Sequence, residues 1–454
     1  MRRYMMLDPS RCIFLSVLLS SAAVCASQPP KTFVNDICLP SSLYMLSDTQ
    51  NDIFVKPFIK RWRPYNDYVR FSSADGKQPF MRRMSHVASI DKPVDGSVLS
   101  VDLVNGDEFE TVKSVKTTLR VGKKSVGDKD VCIQIVGDSV TRGRFFEHAL
   151  LATNYVPKLS MVGLLKCGEN QYNEGRGGWT LYWYFQPPTK AWWAYHGFMQ
   201  PAEGRYWGAR GFWKVAWQCV RGTQPAGFEP AYSCSRYDDV VHRFDEKTGI
   251  LLNPREGDIQ YDNDAEKFVR YDGAGWKTLE KDALTWSFDY GKYLEMWNIK
   301  RPDFLFLSLG PNDFRYHLDA DFSRWANWIE TFRKSYLKAC PGGRFVVCIP
   351  ITVFGPIDNT KGEFTPYQHA AMWRFRDWLI KNYDNREKDR LYLLDGALAL
   401  DDDYGFNPEN GPSAVPFAMY EGKDRLKAAS GNSHPYSNYP AMGIPFAAFI
   451  QYHR

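Results

Sequence analysis

The chain is predicted to be an α/β protein built on a parallel sheet with helices over both faces. Three observations lead there. Short apolar runs of buried-strand length recur at residues 131–136 (VCIQIV), 303–309 (DFLFLSL), 344–350 and 391–394. Helix-compatible stretches at 141–151, 320–338 and 369–381 alternate with them. Two of the runs end in glycine turns, Gly137-Asp138-Ser139 and Gly310-Pro311-Asn312-Asp313. Such turns set polar side chains at the carboxyl edge of the sheet, where open α/β sheets form their sites.

Length and charge frame this prediction. The 454 residues suffice for one large domain with a smaller one, or for one domain with large insertions. The formal charge is +5, with both signs mixed along the chain and no basic stripe. Nothing therefore points to nucleic acid or to an anionic membrane surface. At the N-terminus, Arg2, Arg3 and Arg11 precede the apolar stretch 12–26 (CIFLSVLLSSAAVCA), in which Val24 and Ala26 fit a signal-peptidase site. Residues 1–26 are expected to be a signal peptide, and the mature chain to be secreted or delivered to the secretory-pathway lumen. An uncleaved anchor is the competing reading, although the stretch is short and serine-rich for a membrane span. No later stretch approaches about 20 consecutive apolar residues, so no membrane span is expected in the mature chain.

Nine cysteines agree with export. Cys132 and Cys348 lie inside apolar strands and read as buried thiols. Cys219 and Cys234 flank a loop and make the most plausible local disulfide; Cys38, Cys167 and Cys340 stay open. None has paired CxxC spacing, so zinc is not expected.

Residues 27–125 form a candidate β-rich N-terminal module, in which apolar and polar residues alternate around Asn105-Gly106 as in a hairpin. Polar residues 122–130 make a junction. Residues 126–454 then hold the α/β domain, opening on VCIQIVGDSVTRGRFF (131–146). The strand breaks at Gly137 and feeds a helix, whose N-terminal N–H groups favour an oxyanion. A turn in which Asp138 and Ser139 serve only as a helix cap is the alternative.

Residues 159–164 make another apolar run, and Asn173-Glu174-Gly175-Arg176-Gly177-Gly178-Trp179-Thr180 follows. Its glycines let backbone approach a ligand closely; a plain flexible turn is the other reading. No Gly-Lys-Ser/Thr follows, so this is not a phosphate loop. Residues 181–290 read as an insertion with short strands, crowded with Trp183, Trp192, Trp193, Tyr195, Trp207, Trp213 and Trp217. These rings either stack on sugar faces or form a satellite hydrophobic cluster. Asn312 can aim its amide into a site or serve the turn. Near the end, His434 stands on a loop before a closing helix at 439–452, as a functional or a surface histidine.

In combination, Ser139, Gly178, Asn312 and His434 resemble the SGNH (GDSL-type) hydrolases, defined by these four residue types in this order. The resemblance runs from about residue 131 to the C-terminus, with the aromatic insertion unmatched. Residues 173–180 look like the family's second block, and Gly310-Pro311-Asn312-Asp313 fits its Gly-x-Asn-Asp third block. Arg142 gives Gly-Asp-Ser-x-x-Arg, similar to the PC-esterase branch, whose members act on O-acetyl groups of glycans. The intact Gly-x-Asn-Asp block looks more like the general hydrolases. One position departs: the family's Asp three residues before its histidine is Gly431 here. The orienting carboxylate then comes from elsewhere (Asp424 and Asp395 are candidates), is replaced by a backbone carbonyl, or is missing.

The resemblance implies a three-layer α/β/α sandwich and a serine esterase or acyltransferase. Ser139 would be the nucleophile and His434 the general base. The backbone N–H groups of Ser139 and Gly178 and the amide of Asn312 would form the oxyanion hole. Asp138, Arg142 and Asp313 would support them. No metal or organic cofactor is implied, and the substrate expected is an acyl ester, most plausibly O-acetyl on a carbohydrate. The alternative is a catalytically inactive protein of this fold that binds glycans or serves a structural role.

Overall fold

The computed structural model describes residues 35–61, 67–78, 81–84, 86–106, 109–123, 129–142, 150, 155–187, 195–223, 237–280, 283–351, 366–400 and 439–454. The expected signal peptide, Trp192, Trp193, Cys234, Asp424, Gly431 and His434 lie outside them. The chain is a mixed α/β structure with several sheets.

Seven strands come first: β1 (Ser42–Leu46), β2 (Asn51–Phe54), β3 (Asp67–Ser73), β4 (Arg82–Met84), β5 (Val87–Ile90), β6 (Val98–Asn105) and β7 (Thr111–Gly122). They make two sheets, ordered β1-β7-β6-β3 and β2-β5-β4. The hairpin around Asn105 exists, with Val98 opposite Thr118 and Val101 opposite Val115. Its turn is longer than the Asn-Gly pair suggests. Asn105 N–H donates to the Glu110 carbonyl at 2.9 Å, and Phe109 takes a φ of 57°.

The main sheet contains β8 (Val131–Gly137), β9 (Leu159–Val162), β10 (Leu165–Gly168) and β11 (Gln171–Gly175). Six further short strands follow, β12 (Met199–Pro201), β13 (Arg205–Ala209), β14 (Asp258–Asp262), β15 (Lys267–Tyr271), β16 (Trp276–Thr278) and β17 (Trp286–Phe288). The main sheet resumes with β18 (Phe304–Ser308), β19 (Arg344–Ile349) and β20 (Leu391–Asp395). Its order is β10-β11-β8-β18-β19-β20, with β9 also beside β8. All pairings are parallel except β10 with β11. Starting from β8, the chain builds one edge with β9 and β11, then crosses to build the other with β18, β19 and β20. That reversal puts a topological switch point between β8 and β18, where α/β sheets open a crevice.

The period-2 alternation of these strands explains why both faces are covered. Ile133, Ile135, Phe304, Phe306 and Val346 face the C-terminal helix Tyr439–His453, through Phe446, Phe449 and Ile450. Leu305, Leu307, Phe345 and Val347 face the helices Tyr290–Trp297, Ser323–Ala339 and Pro366–Tyr383. Gln134 is the polar exception in β8, and both its amide nitrogen and its amide oxygen are hydrogen-bonded. It donates to Tyr293 Oη at 2.9 Å and accepts from Tyr290 at 2.6 Å.

The N-terminal sheets are bound to this body rather than hinged from it. Arg376 donates to the Cys38 carbonyl at 3.1 Å, Trp373 to the Phe58 carbonyl at 2.9 Å, and Arg120 to Tyr452 at 3.1 Å. Cys132 and Cys348 are buried thiols in their strands. Cys38 and Cys340 are buried and outside any disulfide, and the Cys219–Cys234 pairing involves a residue that is not described. Among the described residues no helix is long and apolar enough to cross a membrane.

Candidate active site

Three chain segments meet at the carboxyl end of β8. The first is β8's own exit. Asp138 is only 3% exposed, and its Oδ1 accepts the Val140 N–H at 2.9 Å. That bond caps the short helix Ser139–Arg142 and leaves Ser139, half-buried, at its first position. The capping role thus belongs to Asp138.

The second segment is the glycine turn after β11. Arg176 N–H and Tyr184 Oη both donate to the Gly137 carbonyl, at 3.0 and 2.8 Å. The glycines act differently from one another. A Cβ on Gly175 would strike the backbone of Arg142, and one on Gly177 would lie 2.6 Å from the Arg142 guanidinium. These two let the turn close against protein. Gly178 has a φ of +74° and open space on its Cβ side, so here glycine serves the left-handed backbone and not a close approach.

The third segment follows β18. The Asn312 amide donates to the Trp179 carbonyl at 3.1 Å and to Asp138 Oδ2 at 3.4 Å. Asp313 accepts the Leu181 N–H at 3.2 Å and the Trp325 indole N–H at 3.0 Å, anchoring the helix Leu181–Tyr184. Burial pushes the Asp138 carboxyl up to about 6, with Arg315 pulling the other way. Burial first, and then the charge of Asp138, push Asp313 up to about 7.

The expected residues therefore divide as follows. Asp138 and Asn312 touch, and Gly178 is next to Trp179, whose carbonyl Asn312 holds. Arg142 packs over Gly177. Asp313 braces the turn. His434 and Asp424 lie outside the described residues. Asp395 is a correction: both its carboxylate oxygens are taken by the guanidinium of Arg376, the pair being buried. It belongs to the joint with the N-terminal sheets and is not free to orient a histidine.

In the aromatic insertion, the hydrophobic-cluster reading holds for Trp207, Trp213 and Trp217. Trp207 and Trp213 are buried, Trp213 stacking on Phe244 at 3.9 Å, and the Trp217 indole donates to the Phe244 carbonyl. They are core, because the insertion must bury a surface of its own. The insertion also carries a helix, Arg210–Val220, where only short strands were expected. Tyr182 and Trp183, directly after the glycine turn, stay 39% exposed each.

The sequence reading missed a buried network below the site. Arg176 pairs with Glu174 at 2.5 Å, both essentially inaccessible. Glu174 also accepts from Tyr293 at 2.5 Å and from the Leu164 N–H at 2.7 Å. Arg176 donates to the Tyr195 carbonyl at 2.8 Å. The available signal was two opposite charges flanking Gly175 in an otherwise apolar and aromatic neighbourhood, since charges buried there must pair. Among the described residues no group of three or more His, Cys, Asp or Glu is placed to hold a metal ion.

No family model and no curated protein matches the chain. Two crystal structures from Bacteroides fragilis give a weak likeness. One is assigned as an alpha-galactosidase/melibiase, with 11% identity, 69% of this chain and 52% of that chain covered, and a TM-score of 0.17. The other is assigned as an alpha-galactosidase, with 12% identity, the same coverages and a TM-score of 0.17. The chain spans about half the length of each, and likeness at this score carries no argument.

Proposed function

We propose that the chain is an SGNH-type serine esterase or acyltransferase, with the three-layer sandwich of that family, acting on an acyl ester of a carbohydrate. The observation that carries this reading is the convergence of Ser139, the Gly178 turn and Asn312 on the switch point between β8 and β18. Asn312 is bonded across it to Trp179 and Asp138. The chain also has the length to bring His434 there: Met442, eight residues further on, lines a small cavity with Asp138 and Val140. Exposed Tyr182 and Trp183 beside the turn support a sugar as the acylated partner.

Ser139 Oγ attacks the ester carbonyl carbon while its proton passes to His434. The tetrahedral alkoxide accepts hydrogen bonds from the N–H groups of Ser139 and Gly178 and from the Asn312 amide. For that, Asn312 exchanges its longer bond, the one to Asp138, for the oxyanion. Collapse breaks the ester C–O bond, and His434 returns the proton to the leaving sugar oxygen. Water, or a second sugar hydroxyl, then attacks the acyl-Ser139 and gives its proton to His434, which passes it back to Ser139.

The test is labelling by a fluorophosphonate probe together with acetate release from acetylated xylan. Labelling that disappears in Ser139→Ala and weakens in His434→Ala supports the proposal; unchanged acetate release from Ser139→Ala would sink it. The second reading, an inactive glycan binder, is favoured by Gly431 in place of Asp and by an Asn312 whose two amide protons are already engaged. Folded protein that resists the probe yet retains acetylated xylan would decide for it.

A further inference from the structure

The insertion forms a cleft of about 470 Å³ between its four-stranded sheet and the C-terminal end of the helix Tyr290–Trp297. Its size suits an oligosaccharide segment. Arg205, His242, Arg243, Arg255 and Asn253 supply its polar wall, and Leu252 and Met296 its apolar side.

The charges of this wall do not balance. Asp258, at its base, is buried and fully engaged. It pairs with Arg205 at 2.6 Å and accepts from the Trp207 indole at 2.9 Å and the Arg255 N–H at 2.7 Å. Arg243 donates one N–H to the Met296 carbonyl at 3.1 Å and lies 5.3 Å over the Trp297 ring. Neither Arg243 nor Arg255 has a carboxylate partner among the described residues. Arg243 is the telling one. It is partly buried, and burial alone holds its basicity below the usual guanidinium value, with no charged neighbour to offset the cost. Glu295 is the cleft's other carboxylate; it is exposed and does not act on Arg243. A guanidinium held partly out of water, lying over an indole and lining a cavity, with one N–H on the Met296 carbonyl and its others without a partner among the described residues, suits a planar oxyanion.

We infer that this cleft is a second carbohydrate site, which takes an anionic saccharide by seating its carboxylate or sulfate on Arg243 and Arg255. The saccharide class rests on the proposed function, whereas the anionic requirement rests on the cleft itself. The site would anchor a charged glycan chain while an acyl ester elsewhere on it reaches Ser139.

The experiment is calorimetric binding of tetragalacturonate, its fully methyl-esterified form, a sulfated tetrasaccharide and inorganic sulfate to the full-length protein. The expected result is binding of at least one of the two anionic tetrasaccharides. It should be at least 10-fold tighter than the esterified form or inorganic sulfate, and lost by at least 5-fold in both Arg243→Gln and Arg255→Gln. Which anion binds distinguishes carboxylate from sulfate. Arg255 is exposed, so Arg255→Gln reports even where Arg243→Gln fails to fold. Equal binding of the neutral form, equal binding of sulfate alone, indifference to both substitutions, or no binding overturns the inference. Fluorophosphonate labelling of Ser139 is followed in each protein and should be unaltered in both variants. Binding without labelling removes the esterase reading and keeps the cleft; labelling without binding removes the cleft alone.

Discussion

The side-chain amide of Asn312 donates to the main-chain carbonyl of Trp179 at 3.1 Å. Through this bond the loop after β18 holds the glycine turn after β11 across the end of β8. The donor proposed for the oxyanion hole is thus also a strut of the site.

Asn312→Ala should lower kcat for acetate release by about 10²–10³-fold, roughly 3 kcal/mol of barrier, the usual worth of an oxyanion donor. The thermal midpoint should fall as well, because the Trp179 carbonyl loses its partner. Steady-state kinetics beside differential scanning fluorimetry separate the two effects. A variant with altered stability and unaltered kcat would restrict Asn312 to the structural role.

Asp138 and Asp313 make stability depend on pH. Their folded values, about 6 and about 7, stand above the unfolded carboxyl value of roughly 4. Both states are protonated below that lower value. Between about pH 4 and pH 7 the folded state binds more protons, so stability falls as pH rises, and above pH 7 these groups add no further change. Asp313→Asn should flatten that fall. Thermal midpoints of parent and variant from pH 4 to 8 test it, and parallel curves would refute it.

Removing one member of the buried Glu174–Arg176 pair should cost about 3–5 kcal/mol, because the other charge is left uncompensated. Glu174→Gln and Arg176→Met are the variants and urea titration the measurement. Ser139 labelling should slow in both, since the pair sits below the glycine turn. A loss under 1 kcal/mol would mean that the network relaxes around the missing charge.

Two glycines of the same turn should respond to very different degrees. Gly178→Ala has room for its methyl group and loses only the left-handed backbone preference, roughly 1–2 kcal/mol. Gly175→Ala has no room, because the Arg142 backbone occupies the place, so it should fail to accumulate as folded protein. Soluble yield and circular dichroism of the two variants decide. Equal tolerance would contradict the close approach of β11 to the Ser139–Arg142 helix.

Much of the sheet was legible because its signals are local. The runs at 131–136, 303–309, 344–350 and 391–394 became β8, β18, β19 and β20 with ends shifted by a residue or so. The stretches at 320–338 and 369–381 became the helices Ser323–Ala339 and Pro366–Tyr383. Asp138, Ser139 and Asn312 could be set at the carboxyl edge because the chain must turn where an apolar run meets glycine. The role of Asp395 was not legible, because it depends on which cation comes to the carboxylate, and Arg376 lies on a different element. Glu174 and Arg176 were passed over because their burial shows only once the aromatic insertion has closed over them.

The sequence by itself determined the strands β8, β18, β19 and β20, the helices Ser323–Ala339 and Pro366–Tyr383, and which polar residues stand at the ends of β8 and β18, since period and turn chemistry act over a few residues. The tertiary structure alone decided the order of the strands, and with it that β8 and β18 are neighbours. It also decided that Trp207, Trp213 and Trp217 of the insertion are core, and that Asn312 meets Trp179. Those outcomes follow from burying both faces of one sheet at once, a requirement that couples residues more than a hundred positions apart and leaves no mark on any one stretch of chain.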